Sequence, residues 1–266
     1  MEIIILGSGT SSGIPVIGCE CPVCISKDLR DQRLRSSVYI DLGDAHDNDV
    51  RYILIDCGPD FRQQALRYKL PRIDAVLFTH AHADHIFGLD DIRMYNFKQK
   101  SEIPLFADSL TAEALKRIFT YCFYKDPNYE GGGIPSLTLT EVSSNSEFYL
   151  GSTKVTPIRI YHGRHEILGF RIGDFAYLTD CSKIPDESID LLQNLEVLII
   201  SGLRHRTHPT HFNVKEAQEV AVNLGAKRTF LTHISHDLSH SITEAELSSS
   251  PMPINLAFDG LKINLP

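Results

Sequence analysis

The chain has 266 residues, 42% of them hydrophobic, enough to bury a sizeable core as one large domain or two small ones. Its 26 Lys and Arg against 34 Asp and Glu give a net charge of -8, which argues against a protein that coats nucleic acid. It leaves room for an enzyme acting on a small anion, because bound metals would reverse the local field. No stretch reaches the roughly 18 apolar residues that span a bilayer.

The first apolar run, Ile3–Leu6, has no basic residues ahead of it and reads as a strand, not a signal peptide. A cytoplasmic protein is expected, and there six cysteines suit metal ligation or buried thiols better than disulfides. Next comes Gly7-Ser8-Gly9-Thr10-Ser11-Ser12-Gly13. It is spaced Gly-x-Gly-x-x-x-Gly and runs into Pro15 and the cysteines, not a helix, so a dinucleotide fingerprint is rejected. Cys19, Cys21 and Cys24 then stand as Cys-x-Cys-x-x-Cys, three corners of a tetrahedral zinc. His236, far downstream, is the best candidate for the fourth.

Strands are predicted over Val38–Leu42 and Ile53–Asp56, with a helix over Asp60–Tyr68. A buried strand, Ala75–Thr79, then stops at His80-Ala81-His82-Ala83-Asp84-His85. His80 and His82 point to one side of an extended segment. Asp84 and His85 can turn to a second point if a helix begins there, so the spacing suits two neighbouring metals. A solvated loop has no reason to gather three imidazoles and a carboxylate after a buried strand.

Further on, the pattern predicts a helix over His85–Phe97, a strand over Leu105–Ala107 and a helix over Leu110–Cys122. A surface loop follows over Lys125–Pro135, around Gly131-Gly132-Gly133. Strands are predicted over Val155–Tyr161, Ile167–Ile172, Phe175–Thr179, Val197–Ile200, Phe230–Thr232 and Leu256–Phe258. Helices fall over Asp186–Gln193 and Val214–Leu224, the latter capped by Asn213 with Glu216. No linker or repeat interrupts them. The expectation is a single α/β domain, residues 1–266, with two packed sheets flanked by helices.

His162, Asp180, His233 and Asp56 each follow an apolar strand, where side chains from distant segments converge. His208-Pro209-Thr210-His211-Phe212 precedes the capped helix, whose N-terminal amides favour an anion. Cys57, Cys122 and Cys181 read as buried thiols, and His46, His205 and His240 as surface or supporting residues. Arg35 and Arg93 could contact phosphate, although a solvated face or a structural ion pair is the simpler role.

These motifs resemble the metallo-β-lactamase superfamily, whose signature is His-x-His-x-Asp-His, over nearly the whole chain. The resemblance implies an αββα sandwich with one metal on His80, His82 and His162, a second on Asp84, His85 and His233, and Asp180 bridging. His165 competes with His162, which is preferred because it ends its strand and precedes Gly163. Asp56, in Asp56-Cys57-Gly58, matches the superfamily's structural Asp-x-Gly. The Gly-Thr-x-x-Gly-x-Pro start, the cysteine insertion and Leu231-Thr232-His233-Ile234-Ser235-His236 together resemble the phosphoribosyl cyclic phosphate phosphodiesterase and ribonuclease Z branch. Roughly residues 93–139 depart from it.

The branch implies hydrolysis of a small, cyclic phosphodiester by a hydroxide formed between two divalent ions, zinc or manganese, with one further structural zinc. Asp84 would orient or receive the proton, and His211 would stabilise or protonate the departing oxygen. The expected partner is a small molecule; no nucleic-acid polymer and no membrane are implied, and a homodimer is allowed. A thioester or lactone hydrolase, a tRNA 3′-processing-type ribonuclease and a non-catalytic metal-binding protein are the alternatives. His82 argues against a diiron oxidoreductase, and the missing Lys/Arg-rich insertion argues against the ribonuclease.

Overall fold

In the computed structural model the described residues are 1–43, 50–124, 130, 133–250 and 252–265. His46 and most of the predicted Gly131–Gly133 loop lie outside them. The first half supplies β1 (Glu2–Gly7), β2 (Ser37–Asp41), β3 (Tyr52–Ile55), β4 (Ala75–Leu77), β5 (Ile103–Ala107) and β6 (Leu137–Glu141). The second supplies β7 (Phe148–Leu150), β8 (Thr153–His162), β9 (His165–Ile172), β10 (Phe175–Leu178), β11 (Val197–Ser201), β12 (Arg228–Thr232), β13 (Ile254–Leu256) and β14 (Lys262–Asn264). Two seven-stranded sheets result, ordered β14-β1-β2-β3-β4-β5-β6 and β13-β12-β11-β10-β9-β8-β7.

Strand alternation builds the layers. In β1, Ile3 and Ile5 join the core between the sheets, with Tyr177, Phe170 and Val197 from the second sheet. Ile4 and Leu6 face the other way, onto a second core shared with α1 (Phe61–Tyr68) and α4 (Ser109–Ile118). The outer face of the second sheet packs against α7 (Val214–Leu224) and α8 (His240–Leu247). The arrangement is the expected sandwich of two sheets between helical layers.

Strands β3, β4, β5 and β6 run parallel, as do β10, β11, β12 and β13. Parallel strands bring their carboxyl ends to one rim, where ligand sites of open sheets form. Asp56 follows β3, the histidine motif follows β4, Asp180 follows β10 and His233 follows β12, so the four segments converge.

The helix expected over His85–Phe97 is three pieces: α2 (Ala83–Ile86), a 3-10 turn (Leu89–Ile92) and α3 (Arg93–Gln99). The break has a steric cause. A Cβ on Gly88 would stand 2.1 Å from the Gly58 carbonyl oxygen, and one on Gly58 would stand 1.9 Å from that of Asp84. The two backbones therefore touch, and the Gly88 amide donates to the Cys57 carbonyl at 2.8 Å instead of continuing the helical ladder. The helix over Leu110–Cys122 likewise divides, into α4 and α5 (Thr120–Phe123), at Phe119 with φ -107° and ψ 45°. The one over Asp186–Gln193 shortens to α6 (Asp186–Ile189) and a 3-10 turn. The strand expected over Leu256–Phe258 is β13, Ile254–Leu256, so Ala257 and Phe258 lie beyond it.

Candidate metal centre

Asp56, Asp180 and His233 leave their strands with φ of 61°, 55° and 56°. The left-handed region is unfavourable for residues with a Cβ, and such conformations cluster where the surroundings hold them for function. The twist turns each side chain off its strand toward the other segments. There, Oδ2 of Asp84 and Oδ2 of Asp180 each lie 3.2 Å from Nε2 of His85. Nε2 of His233 lies 3.1 Å from Oδ1 of Asp180 and 3.8 Å from Oδ2 of Asp84. Donor atoms around a tetrahedral zinc with N and O ligands are about 3.3 Å apart, so these separations fit a metal.

The donors fall into overlapping groups: Asp84, His85 and His233; His80, His85 and Asp180; and His162, Asp180 and His211. The first is the set implied for the second metal. His82 belongs to none of them, but its Nδ1 is 2.9 Å from Nε2 of His80. Its ring also lies 5.1 Å from that of His162, centroid to centroid. His162 ends β8, is buried, and its Nδ1–H donates to the Asp180 and Thr210 carbonyls, at 3.0 and 2.9 Å. Its Nε2 is thereby left with a lone pair. His165 sits opposite it across a two-residue turn, exposed, and in none of the groups. Geometry favours His162 of the two.

A cation answers an electrostatic question posed by the site. Nδ1 of His211 and Nδ1 of His233 are buried without a hydrogen-bond partner among the described residues, while Nε2 of His85 and of His233 face carboxylate oxygens at 3.1–3.2 Å. Each such group costs about 1–3 kcal/mol when left unsatisfied. Burial alone would discharge these groups, yet His80 and His85 part company. Burial and the neighbouring His85 and His82 push His80 well below the usual histidine range. At His85 burial opposes the charge, but Asp56, Asp180 and Asp84 outweigh it and raise it well above. Asp180 is held well below the carboxylate range, against burial, by His233 and His85. Imidazoles and carboxylates are a donor set that takes zinc or manganese.

His211 is more central than its loop position suggests. It is buried, its ring lies 4.6 Å from His162 and 4.7 Å from His233, and its Nδ1 is 3.8 Å from Oδ1 of Asp180. Burial and His233 lower its pKa to about 3. A cavity of about 640 Å³ opens beside His80, His82 and His162, and is also lined by His165, Arg159 and Asp108. Arg35 and Arg93 are in ion pairs with Asp60 and Asp90, at 2.9 and 3.0 Å. His205 is exposed against Glu246, and Cys57, Cys122 and Cys181 are buried.

Sγ of Cys19, Cys21 and Cys24 lie 3.3, 3.5 and 3.5 Å from Nδ1 of His236. A tetrahedral zinc with sulfur and nitrogen ligands sets that edge at about 3.6 Å, so the four residues fit a closed structural site. The Cys24 amide and its thiol lower Cys21 to about 7, while burial raises Cys24 to about 11. The loop leans on the site from outside, since Thr10 N donates to Ile234 O and Ile234 N to Ser8 O, next to His233. Cys21→Ser should therefore remove about one equivalent of zinc and lower the melting temperature, because binding energy of such a site is folding energy. Unchanged zinc content and melting in that variant would refute it.

Sequence reasoning missed one buried network. Arg33 donates to Ser8 Oγ at 2.8 Å and reaches Nδ1 of His240 at 3.0 Å, and Asp259 accepts from Ser8 and Leu34. It pins the N-terminal loop to the C-terminal segment, and His240, buried, is supporting rather than superficial. No local pattern marks it, since the partners are up to 251 residues apart.

The sequence matches the family described as "Beta-lactamase superfamily domain" over residues 51–234. With that match, the two-sheet sandwich and the His-x-His-x-Asp-His motif at its rim, the chain belongs to the metallo-β-lactamase superfamily. Among solved structures it is similar to "a New Diphosphatase from the PhnP Family", at 42% identity and TM-score 0.87, covering 100% of this chain and 98% of that one. It is also 40% identical to a Porphyromonas gingivalis (strain ATCC BAA-308 / W83) protein named octanoyltransferase, over 98% of this chain but only 51% of that protein. The chain thus spans about half the length of that relative. Human tRNase Z, short form, shares the fold at TM-score 0.70 and 19% identity, covering 100% of both chains. Among the described residues no helix is long and apolar enough to cross a membrane.

Proposed function

We propose that this protein is a metal-dependent hydrolase of a small, cyclic phosphodiester. The observation that carries the reading is His211, buried between His162 and His233 at the edge of the carboxylate cluster, where a departing oxygen would need a proton or a phosphoryl oxygen a partner. The 42% identity to a diphosphatase supports phosphorus as the reacting centre.

In this reading His80, His82 and His162 would hold one ion, Asp84, His85 and His233 the other, and Asp180 would be shared between them. Two divalent ions, when bound, supply an acidified water and stabilise charge on phosphoryl oxygens. Asp84 would orient a water and receive its proton. His211 hydrogen-bonds the phosphoryl group or protonates the leaving alcohol. The cavity beside His80 and His162 takes the rest of a small substrate, and the net charge of -8 disfavours a nucleic-acid polymer.

A second reading, a thioester hydrolase, is favoured by one observation: the relative named octanoyltransferase, half of which aligns with this chain. Both readings meet in one assay. Protein loaded with zinc or manganese is given 2′,3′-cyclic nucleotides, a ribose cyclic phosphate, linear diesters, an octanoyl thioester and a β-lactam. Cleavage of the cyclic diesters with the higher kcat/KM is expected. Preference for the thioester or the lactam would overturn the phosphodiesterase reading, and no turnover of any of them would favour a non-catalytic metal-binding protein.

A further inference from the structure

Strand β4 ends one residue short of Phe78, and the next residue, Thr79, is fully buried beneath the histidine motif. Its amide donates to Oδ1 of Asp56 at 2.8 Å, and its hydroxyl donates to Oδ2 of Asp56 at 2.8 Å. The same Oδ2 takes Nδ1–H of His85 at 2.7 Å. The Thr79 hydroxyl oxygen also lies 3.0 Å from Nδ1 of His80. A hydroxyl has one proton, and here it is spent on the carboxylate. The oxygen can then only accept from His80, so His80 carries its proton on Nδ1 and turns the Nε2 lone pair into the site.

We propose that Thr79 is a positioning residue that locks the tautomers of two imidazoles at once, His80 directly and His85 through Asp56. The proposal deepens the metal reading of the site and rests on it only for the affinity arm of its test. Metal ligands presented by hydrogen-bonded imidazoles depend on such partners, and losing one costs about 10–100-fold in metal affinity. The Thr79 carbonyl adds rigidity, because it accepts from Leu168 N at 3.0 Å and so joins the first sheet to β9 of the second. The other sheet has a partial counterpart: Thr179, also fully buried, donates its hydroxyl to Oδ2 of Asp180 at 2.8 Å. A threonine is suited to the place. Its branched methyl fills the buried strand end while the hydroxyl does the hydrogen bonding.

The test combines nitrogen-15 NMR of imidazoles in the metal-free protein with chelator-competition titrations. In the wild type, His80 should be the Nδ1–H tautomer. In Thr79→Val, which keeps the shape and loses the hydroxyl, that tautomer should no longer dominate and zinc affinity should fall about 10–100-fold. Thr79→Ser should restore both nearly to wild type, which a packing role for the methyl would not do. An Nε2–H tautomer for His80 in the wild type would overturn the proposal even if no variant folded, as would undiminished zinc affinity in Thr79→Val. Failure of the wild type to bind metal, with the tautomer as expected, would instead overturn the metal reading alone.

Discussion

Asp180→Asn should lower turnover by about three orders of magnitude, in the range for losing one preorganised electrostatic contact or more, and reduce the metal held at this centre, apart from the cysteine-loop zinc, from two equivalents to one or fewer. Asp180 is shared by two of the three donor groups, and its two oxygens face different imidazoles, Oδ2 toward His85 and Oδ1 toward His233. No other carboxylate among the described residues has that position. Asparagine keeps the shape and tolerates the φ of 55° better than alanine would, so the fold should survive. What should vanish is the metal-dependent part of the stability, worth about 2.7 kcal/mol when the free ion is at 100 times its Kd. Two equivalents of metal still held at this centre, besides the cysteine-loop zinc, together with full turnover in Asp180→Asn would remove it from the bridging role.

The reason so much of this centre is legible in sequence is that its residues sit at the ends of buried strands. The runs before His80, His162, Asp180 and His233 are apolar because they lie inside two packed sheets, and each polar residue marks where the sheet stops. The cysteine cluster is legible because its spacing is local, although His236 is 212 residues from Cys24. What fails is whatever depends on close approach. The apolar period of Ile86, Leu89 and Ile92 continues across Gly88, so it reads as one helix; only the nearby Gly58 carbonyl shows why it breaks. Edge strands such as β6, with the half-exposed Leu-Thr-Leu-Thr-Glu, carry too little buried surface to stand out. The left-handed backbone of Asp180 and His233 is not flagged by the usual glycine, because a glycine there would remove the donor side chain. Thr79 is invisible for a related reason. One hydroxyl reaching Asp56 and His80 is a fact of folding across 23 residues, not of spacing.

His211→Ala should cut turnover of a cyclic diester with an alkoxide leaving group by roughly two to four orders of magnitude, the range for losing a general acid. The stronger evidence lies in how the loss depends on substrate and metal. His211 has two possible employments in this geometry. It stands in a donor group with His162 and Asp180, so it could ligate; it also stands at the edge of the cluster, so it could meet the substrate. Metal content separates them, since a substrate-facing residue leaves both equivalents in place and a ligand does not. Among substrate-facing roles, the leaving group decides. A p-nitrophenolate departs without a proton, so an acid is wasted on it and the variant should lose little there. An equal loss on both substrates would assign His211 to phosphoryl binding. Its pKa of about 3 in the metal-free protein comes from burial and from His233, so the imidazole is neutral at pH 7. A neutral imidazole can still donate one N–H to a phosphoryl oxygen, and an acid role would require the bound anion to raise that pKa. Full activity on both substrates would remove His211 from the reaction, and with it the observation on which the phosphodiesterase reading leans most.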